Sequence, residues 1–207
     1  MIFKKTLMLF TALVIYSTGH ATQTSTDHMM DNHQFKTAIF AGGCFWCVEA
    51  DFDKVPGVID TTSGFTGGHV KDPSYEQVSN GGTGHAESVR ITYDPGKVSY
   101  KELLDYFWHN IDPTTVNAQF CDHGPQYRSA IFYLNEEQHN LAEQSRENLE
   151  NTKLFKAPIV TQIVPASTFY PAEDYHQDFH ETHELKYKFY RYRCGRDERL
   201  EELWGKK

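Results

Sequence analysis

Two cysteines lie three residues apart in the stretch GGCFWCVE, which follows a short apolar segment. They are Cys44 and Cys47. The preceding glycines and the apolar residues at helical spacing after them predict a helix that begins at Cys44. A cysteine at a helix N-terminus faces unpaired N–H groups and the positive end of the dipole, which favour the thiolate. We therefore predict that Cys44 is a nucleophile and that Cys47, one turn further on, is less activated. A buried structural cysteine is the alternative.

The residues between the two cysteines are aromatic. Phe45 and Trp46 are typical core residues, and packing alone accounts for many such side chains. Beside a nucleophilic sulfur they also form an apolar wall. Such a wall suits a small apolar group such as a methyl, and it keeps water away.

A carboxyl group is expected to lie on a buried strand face. In the segment AESVRITY, Glu87 alternates with Val89, Ile91 and Tyr93, so all four side chains point to one side of the strand. Burial disfavours the charged form and raises the pKa of a carboxyl group. Glu87 is thus a candidate general acid, unless it lies exposed at the strand end.

Two further cysteines, Cys121 and Cys194, bring the total to four. Two structural disulfides are one interpretation, although a chain of 207 residues can bury a core without them. A second Cys-x-x-Cys pair that would complete a zinc site is absent from the sequence. The formal net charge of −8 argues against a nucleic-acid partner.

The order of predicted elements favours an α+β fold. Strands are predicted at KTAIFA, GVIDTTSGFTGG, AESVRITYD, YRSAIFYL and PIVTQIVPAS, with helices after the first and third of these and a charged surface helix, NEEQHNLAEQSRENLEN, after the fourth. Ser99 and Glu102 predict a capping box at the second helix. The long loop DPTTVNAQFCDHGPQ is of a length that is often functional. We predict a single domain, residues 35–207, with a mixed central sheet, flanking helices and a ferredoxin-like core with extended loops.

The first residues predict export. Lys4 and Lys5 precede the apolar stretch 7–16, and Gly19-His20-Ala21 offers small residues for cleavage. We predict a signal peptide over residues 1–21 and a flexible leader over residues 22–34. The protein is then periplasmic or secreted, with no stable membrane span, because the apolar run is short for a bilayer. An uncleaved anchor is the alternative.

Five stretches of the chain resemble the methionine sulfoxide reductase A family. They are GGCFWCVE, GFTGGH, TGHAESVRITYDP, FCDHGPQYRSAIFY and FYPAEDYHQ, in that order along residues 35–195. The resemblance implies a thiol-dependent oxidoreductase that returns the S-epimer of methionine sulfoxide, free or in oxidised proteins, to methionine. It implies no organic cofactor or metal, an external thioredoxin-like dithiol as reductant, and repair under oxidative stress. We expect a monomer.

The resemblance also assigns roles to residues. Cys44 matches the nucleophile and passes through a sulfenic acid, while Glu87 matches the acid. Asp122 and Tyr127 match polar groups around the sulfoxide oxygen. The methyl-binding aromatics correspond to Phe45 and Trp46. Phe65 stands where a second substrate-binding tyrosine is common, so that hydroxyl is expected to be missing, and Glu87 and Tyr127 are expected to bind more of the oxygen.

A second thiol must resolve the sulfenic acid as an intramolecular disulfide. Cys194 lies in a glycine-flanked tail among Arg191, Arg193 and Arg196, and we predict that this tail is mobile and that its arginines favour the Cys194 thiolate. We therefore rank Cys194 first, Cys47 second and Cys121 third.

Two other functions fit parts of the sequence. Cys44-Phe45-Trp46-Cys47 after a strand is also typical of a thiol–disulfide oxidoreductase, although that function has no use for Glu87. His176, His180 and His183 would share one face of a helix at AEDYHQDFHETH, and three such histidines can bind zinc. A solvated polar face is the simpler interpretation of the histidines.

Overall fold

The computed structural model describes residues 34–205. The predicted signal peptide and all but the last residue of the predicted leader lie outside these residues. Within the described range, no helix combines the length and apolar character needed to cross a bilayer.

Eight strands and seven helices are described. The strands are β1 (Lys36–Gly42), β2 (Val58–Thr66), β3 (Ala86–Tyr93), β4 (Ala118–Gln119), β5 (Asp122–His123), β6 (Ser129–Tyr133), β7 (Gln162–Pro165) and β8 (Tyr170–Pro171). The helices are α1 (Phe45–Phe52), α2 (Tyr75–Ser79), α3 (Tyr100–Trp108), α4 (Glu136–Asn151), α5 (Phe179–Thr182), α6 (Glu184–Arg193) and α7 (Arg196–Trp204).

The central sheet has the strand order β7-β6-β1-β3-β2-β8. Its middle four strands, β6-β1-β3-β2, are antiparallel throughout, and α1 and α3 connect β1 to β2 and β3 to β6. This is the ferredoxin-like arrangement. β7 joins β6 in parallel, so the sheet is mixed. The predicted α+β fold is confirmed.

The core lies between the sheet and the helices α1 and α3. Phe40 of β1 is fully buried and stacks on Phe52 of α1 and Phe107 of α3, with ring centroids 5.4 and 4.9 Å apart. Each such side chain contributes about 1.5–3 kcal/mol on burial. The capping box of Ser99 and Glu102 starts α3 as predicted. The core therefore fixes the end of β1 and the start of α1, which is where Cys44 lies.

The segment AEDYHQDFHETH is not the single helix that its pattern predicts. A 3-10 turn covers Asp174–His176, and α5 begins only at Phe179. Between them Asp178 has a φ of 50°, in the left-handed region. The Gln177 side chain bonds to the backbone N–H and carbonyl of Ser63 in β2, at 2.8 and 2.9 Å. These bonds hold the segment against the sheet edge and break the helix.

The C-terminal segment is not the mobile tail expected from its glycines. Cys194 caps α6, Gly195 makes a left-handed turn with φ 66°, and α7 follows at once. Arg196 and Leu200 of α7 are buried. Trp204 at its end donates an indole hydrogen bond to the carbonyl of Ile111. Packing of α7 on the core therefore fixes the position of Cys194.

Candidate active site

A cavity of about 190 Å³ lies at the start of α1. A larger groove of about 610 Å³ lies against α3 and α4, but it contains no thiol. The smaller cavity brings together most of the residues predicted to do chemistry, together with two tyrosines that were not predicted. Its lining consists of Cys44, Phe45, Trp46, Tyr75, Glu87, Asp122, Tyr127 and Tyr190.

Cys44 occupies the N-cap position of α1, as predicted, and is 7% exposed. The sequence predicts that unpaired N–H groups at this helix start face Cys44. One of them, the backbone N–H of Phe45, donates to Oε2 of Glu87 at 3.0 Å. The first free N–H of the helix therefore anchors the acid rather than the nucleophile.

The two thiols of α1 interact with one another. The backbone N–H of Cys47 donates to the carbonyl of Cys44 at 3.0 Å, and each thiol shifts the pKa of the other. Burial raises the pKa of Cys44 well above its ordinary value, and Cys47, Glu87 and Asp122 raise it further. The neighbouring Cys44 thiol lowers the pKa of Cys47, and Arg196 adds to this effect. The helix N-terminus was expected to lower the pKa of Cys44, whereas burial raises it in the unliganded protein.

Glu87 lies on the buried face of β3, as its alternation with apolar residues predicts. It is 2% exposed, and burial raises its pKa to about 8, against the stabilising hydrogen bond from Phe45. The carboxyl group is therefore protonated at neutral pH. A neutral carboxylic acid beside a sulfur can give a proton to a reacting oxygen.

Phe65 does not line the cavity, so its expected contact with substrate is wrong. It pairs with Glu87 across β2 and β3 and is fully buried, with its ring 5.8 Å from that of Phe45. It excludes water from behind Glu87. The hydroxyl group thought to be missing is present, because Tyr75 of α2 lines the cavity. The Ser74–Gln77 capping box, visible in the sequence, is the signal that predicts α2 and places Tyr75 at its start.

The aromatic wall is held from behind by the AEDYHQ segment. The Trp46 indole N–H donates to Nδ1 of His176 at 3.1 Å, and its ring stacks on Phe179 with centroids 3.8 Å apart. The His176 ring is 2% exposed and lies 5.1 Å from Phe45, centroid to centroid. Burial lowers the pKa of His176, so its ring is neutral and carries its proton on Nε2. Phe45 and Trp46 are thus core residues with one face on the cavity.

The polar side of the cavity comes from the long loop and α6. Asp122 accepts a hydrogen bond from the hydroxyl of Tyr190 at 2.6 Å. Burial raises the pKa of Asp122 and of Tyr127, so Tyr127 keeps its proton and remains a hydrogen-bond donor. Tyr190 was missed because α6 was interpreted as part of a tail.

Cys121 and Cys194 form a disulfide across 73 residues, with Cα atoms 4.9 Å apart. Cys44 and Cys47 are free thiols. The expectation that Cys194 reaches Cys44 directly is not met in this state, because its sulfur is bonded to Cys121. Arg191 and Arg196 were expected to favour the Cys194 thiolate. In the structure they lower the pKa of Cys47.

The zinc interpretation of the histidines fails in the described residues. His176 bonds to Trp46, His180 lies 3.4 Å from a carboxylate oxygen of Asp53, and His183 stacks on Phe179. They do not share a face because the predicted helix is broken. The side-chain atoms of Cys121, Asp122 and Cys194 come within 4.8 Å of one another, but both sulfurs are occupied by the disulfide.

The arrangement is a thiol pair and a protonated carboxyl group in a small apolar cavity. Tyrosine hydroxyl groups surround the same space. It can bind a small polar oxygen through the acid and the hydroxyls, with apolar substituents against Phe45 and Trp46. A sulfur atom bearing one oxygen and one methyl group has this shape and polarity.

Comparison with known proteins gives one consistent result. A family model described as "Peptide methionine sulfoxide reductase" matches residues 36–207. The chain is 53% identical over 173 residues to a peptide methionine sulfoxide reductase of Halalkalibacterium halodurans, covering 84% of this chain and 98% of that protein. It is 49% identical over 170 residues to the reductase of Bacillus licheniformis, covering 82% and 94%.

Solved structures agree. The crystal structure of Mxr1 from Saccharomyces cerevisiae in reduced form is similar with a TM-score of 0.69 and 32% identity, over 74% of this chain and 88% of that chain. Methionine sulfoxide reductase A of Corynebacterium diphtheriae is similar with a TM-score of 0.65 and 34% identity, over 73% and 76%.

Proposed function

Because the chain belongs to the peptide methionine sulfoxide reductase family and is a thiol-dependent reductase of methionine sulfoxide, we propose that Cys44 is its nucleophile and Glu87 its acid. The observation that carries this proposal is the shared cavity, in which the Glu87 carboxyl group is tied to the backbone N–H next to Cys44. Phe45 and Trp46 receive the methyl group of the substrate. The hydroxyls of Tyr75 and Tyr127 bind the oxygen together with Glu87, and Asp122 holds Tyr190 in the wall.

The first step transfers one oxygen atom and two electrons. The Cys44 sulfur attacks the sulfoxide sulfur and an S–S bond forms between them. Transfer of the oxygen to Cys44 then forms a new S–O bond on Cys44 and breaks both that S–S bond and the S–O bond of the substrate. Glu87 gives its proton to the oxygen, and the proton of the Cys44 thiol replaces it. Methionine leaves and Cys44 becomes a sulfenic acid. The Cys44 sulfur supplies both electrons and the sulfoxide sulfur receives them, so the step uses no prosthetic group.

The geometry disfavours the rival thiol–disulfide oxidoreductase. Cys44 is 7% exposed at the bottom of a small cavity, and Cys47 is 1% exposed. A disulfide in a folded partner cannot reach either sulfur without rearrangement. The end of a methionine side chain can.

Recycling uses the thiol nearest to Cys44. We propose that Cys47 resolves the sulfenic acid, because it lies one helical turn from Cys44 and its backbone N–H donates to the Cys44 carbonyl at 3.0 Å. Cys121 and Cys194, when reduced, then pass electrons to the Cys44–Cys47 disulfide and become a disulfide themselves. The described state, with free Cys44 and Cys47 thiols and a Cys121–Cys194 bond, matches the end of that exchange. The predicted order of resolving thiols is revised accordingly.

An external dithiol completes the cycle. Cys121 is exposed on the surface, so a thioredoxin-like reductant can approach its sulfur. Peptide mass spectrometry after one equivalent of methionine sulfoxide, starting from fully reduced enzyme, tests the order. We expect a Cys44–Cys47 link first and a Cys121–Cys194 link later. A dominant Cys44–Cys194 peptide at the earliest times would support the original ranking instead.

Substrate stereochemistry is the direct test of the function. We propose that the enzyme reduces the S-epimer of methionine sulfoxide, free or in proteins. Assays with the separated epimers should give methionine from the S-epimer alone. Reduction of insulin disulfides without reduction of either epimer would support the rival oxidoreductase.

Export remains a proposal that rests on residues 1–21. A short apolar run after Lys4 and Lys5 supports secretion, followed by cleavage at Ala21. N-terminal sequencing of the extracytoplasmic protein should begin near Thr22. An intact Met1 in a soluble cytoplasmic fraction would contradict it.

A further inference from the structure

A cluster of charges is centred on Asp51, which is buried on the same helix as Cys47. Asp51 follows Cys47 by one helical turn in α1. It forms an ion pair with Arg191 of α6 at 2.9 Å and another with Arg196 of α7 at 3.4 Å. The side chains of Asp51 and Arg196 are 4% and 2% exposed. Burial of this degree requires that every charge have a partner.

Arg196 is incompletely paired. Its two terminal nitrogens donate to backbone carbonyls of Gly42 and Asn110, at 3.2 and 2.7 Å. Its Nε atom has no hydrogen-bond partner among the described residues, and its contact with Asp51 at 3.4 Å lacks hydrogen-bond geometry. The guanidinium group is therefore stabilised mainly by neutral backbone carbonyls and only weakly by a carboxylate. A nearby anion would stabilise it.

Arg196 also connects the two cysteine pairs. The carbonyl of Gly42 that it holds lies two residues before Cys44. Its guanidinium stacks on Phe120, 4.5 Å from the ring centroid, and Phe120 precedes Cys121. Arg196 itself follows Cys194 by two residues.

A role for Arg196 rests on the proposed resolving step, in which Cys47 attacks the Cys44 sulfenic acid as a thiolate. We propose that Arg196 is a positioning residue for recycling, and that its charge, supported by Arg191, stabilises Cys47 as the thiolate that attacks the sulfenic acid of Cys44. The S–S bond forms between the two sulfurs as the S–O bond of Cys44 breaks. Hydroxide leaves and takes up a proton as water, so the Cys47 sulfur is oxidised and the Cys44 sulfur is reduced.

Other groups around Cys47 do not supply this charge. Burial keeps the tyrosines neutral, and Glu87, with a pKa of about 8, carries no charge at neutral pH. Asp51 opposes the thiolate, but two arginines pair with this one carboxylate, so these three side chains keep a net positive charge that lowers the pKa of Cys47. The titratable and charged groups that act on Cys47 are Cys44, Asp51, Glu87, Tyr187, Tyr190, Arg191 and Arg196.

One variant that removes a positive charge and one that removes a negative charge distinguish this electrostatic role from a structural role. The rate of Cys44 sulfenic acid loss is followed by dimedone trapping and mass spectrometry after one equivalent of methionine sulfoxide, from pH 5 to 9. Arg196→Gln should raise the apparent pKa of this step and slow it at pH 7 by roughly fivefold to tenfold. Asp51→Asn should lower the apparent pKa and speed the step at low pH. Arg196→Lys should restore the profile, and Arg199→Gln, an exposed arginine of α7, should leave it unchanged.

Each outcome is informative because methionine formation is measured in the same samples. Equal slowing by Arg196→Gln and Asp51→Asn without a change in pH profile would show that the cluster is only structural. If Arg196→Gln does not fold, Arg191→Gln should shift the profile in the same direction by less, and an unchanged profile there would overturn the proposal. Sulfenic acid loss that is equally fast in Cys47→Ser would overturn the resolving step, whereas an intact methionine burst would leave the reductase assignment standing.

Discussion

The backbone N–H of Phe45 donates a hydrogen bond to Oε2 of Glu87 at 3.0 Å. This bond ties the start of α1 to β3 and places the carboxyl group beside the residue that follows Cys44. The Cys44 side chain itself accepts no capping hydrogen bond from the helix. The unliganded site therefore holds a protonated acid and a protonated Cys44 at neutral pH, and a substrate oxygen in the cavity is placed to receive a proton.

Glu87→Gln should lower the rate of sulfoxide reduction by roughly 10²-fold or more, since it removes the proton donor and keeps the shape. In the wild type, the acid is present below its pKa of about 8 and is lost as the pH rises through that value. Single-turnover rates from pH 5 to 9 should show a falling limb near pH 8 that Glu87→Gln lacks. Glu76→Gln, an exposed glutamate of α2, is the control. Identical profiles in the wild type and Glu87→Gln would exclude the role.

Tyr75→Phe and Tyr127→Phe should each slow the same step, by roughly 3-fold to 10-fold, because each removes one hydrogen bond of about 1 kcal/mol to the oxygen. The double variant should lose more than either single one. Tyr175, which is 58% exposed and outside the cavity lining, gives the matched control Tyr175→Phe. If Tyr127→Phe slows the single turnover and Tyr75→Phe does not, Tyr75 packs in the cavity wall without binding the oxygen.

His176→Ala should release the Trp46 indole from its 3.1 Å hydrogen bond and loosen the wall that receives the methyl group. We expect KM to rise roughly fivefold with a smaller change in kcat, since the wall binds substrate without taking part in proton transfer. His183→Ala, which leaves the bond to Trp46 intact, should have little effect. An equal fall in kcat with unchanged KM would argue against this positioning role.

Glu49 gives a prediction about stability rather than activity. It is fully buried, neither of its carboxylate oxygens has a hydrogen-bond partner among the described residues, and burial raises its pKa from 4.5 to about 7. The folded state therefore holds a proton that the unfolded state releases above pH 4.5, so stability should fall as pH rises toward 7 and then level off. This loss is at most about 3 kcal/mol.

Glu49→Gln removes that dependence. Its free energy of unfolding in urea should exceed that of the wild type by more at pH 8 than at pH 4.5. Glu147→Gln on the exposed face of α4 serves as the control. A difference between the Glu49→Gln variant and the wild type that does not change with pH would show that Glu49 ionises in the folded state as readily as in the unfolded state.

Local patterns were sufficient to predict two candidate residues, Cys44 and Glu87, that line one cavity in the structure. Cys44 follows from a strand, two glycines and an apolar helix, and Glu87 follows from the alternation of β3. Both predictions depend only on residues that are close to Cys44 or Glu87 in the sequence. The antiparallel pairing of β1 and β3 then brings the two residues together, and this pairing follows from the common fold rather than from either motif.

Long-range packing determines what the sequence did not predict. The Cys121–Cys194 bond joins residues 73 positions apart, and nothing near either cysteine specifies the other. Arg196 looks like a surface residue in a basic tail, yet it is buried against Gly42 and Phe120. The histidine pattern predicted a helix because its period is helical, whereas Gln177 satisfies the backbone of Ser63 instead.

The most direct test is a single turnover of the fully reduced enzyme with one equivalent of the S-epimer of methionine sulfoxide, without external reductant. Wild type, Cys47→Ser, Cys121→Ser and Cys194→Ser should each yield close to one methionine per enzyme, and Cys44→Ser should yield none. The R-epimer should give no methionine with any of them. A methionine burst from Cys44→Ser would contradict the assignment of Cys44 as the nucleophile.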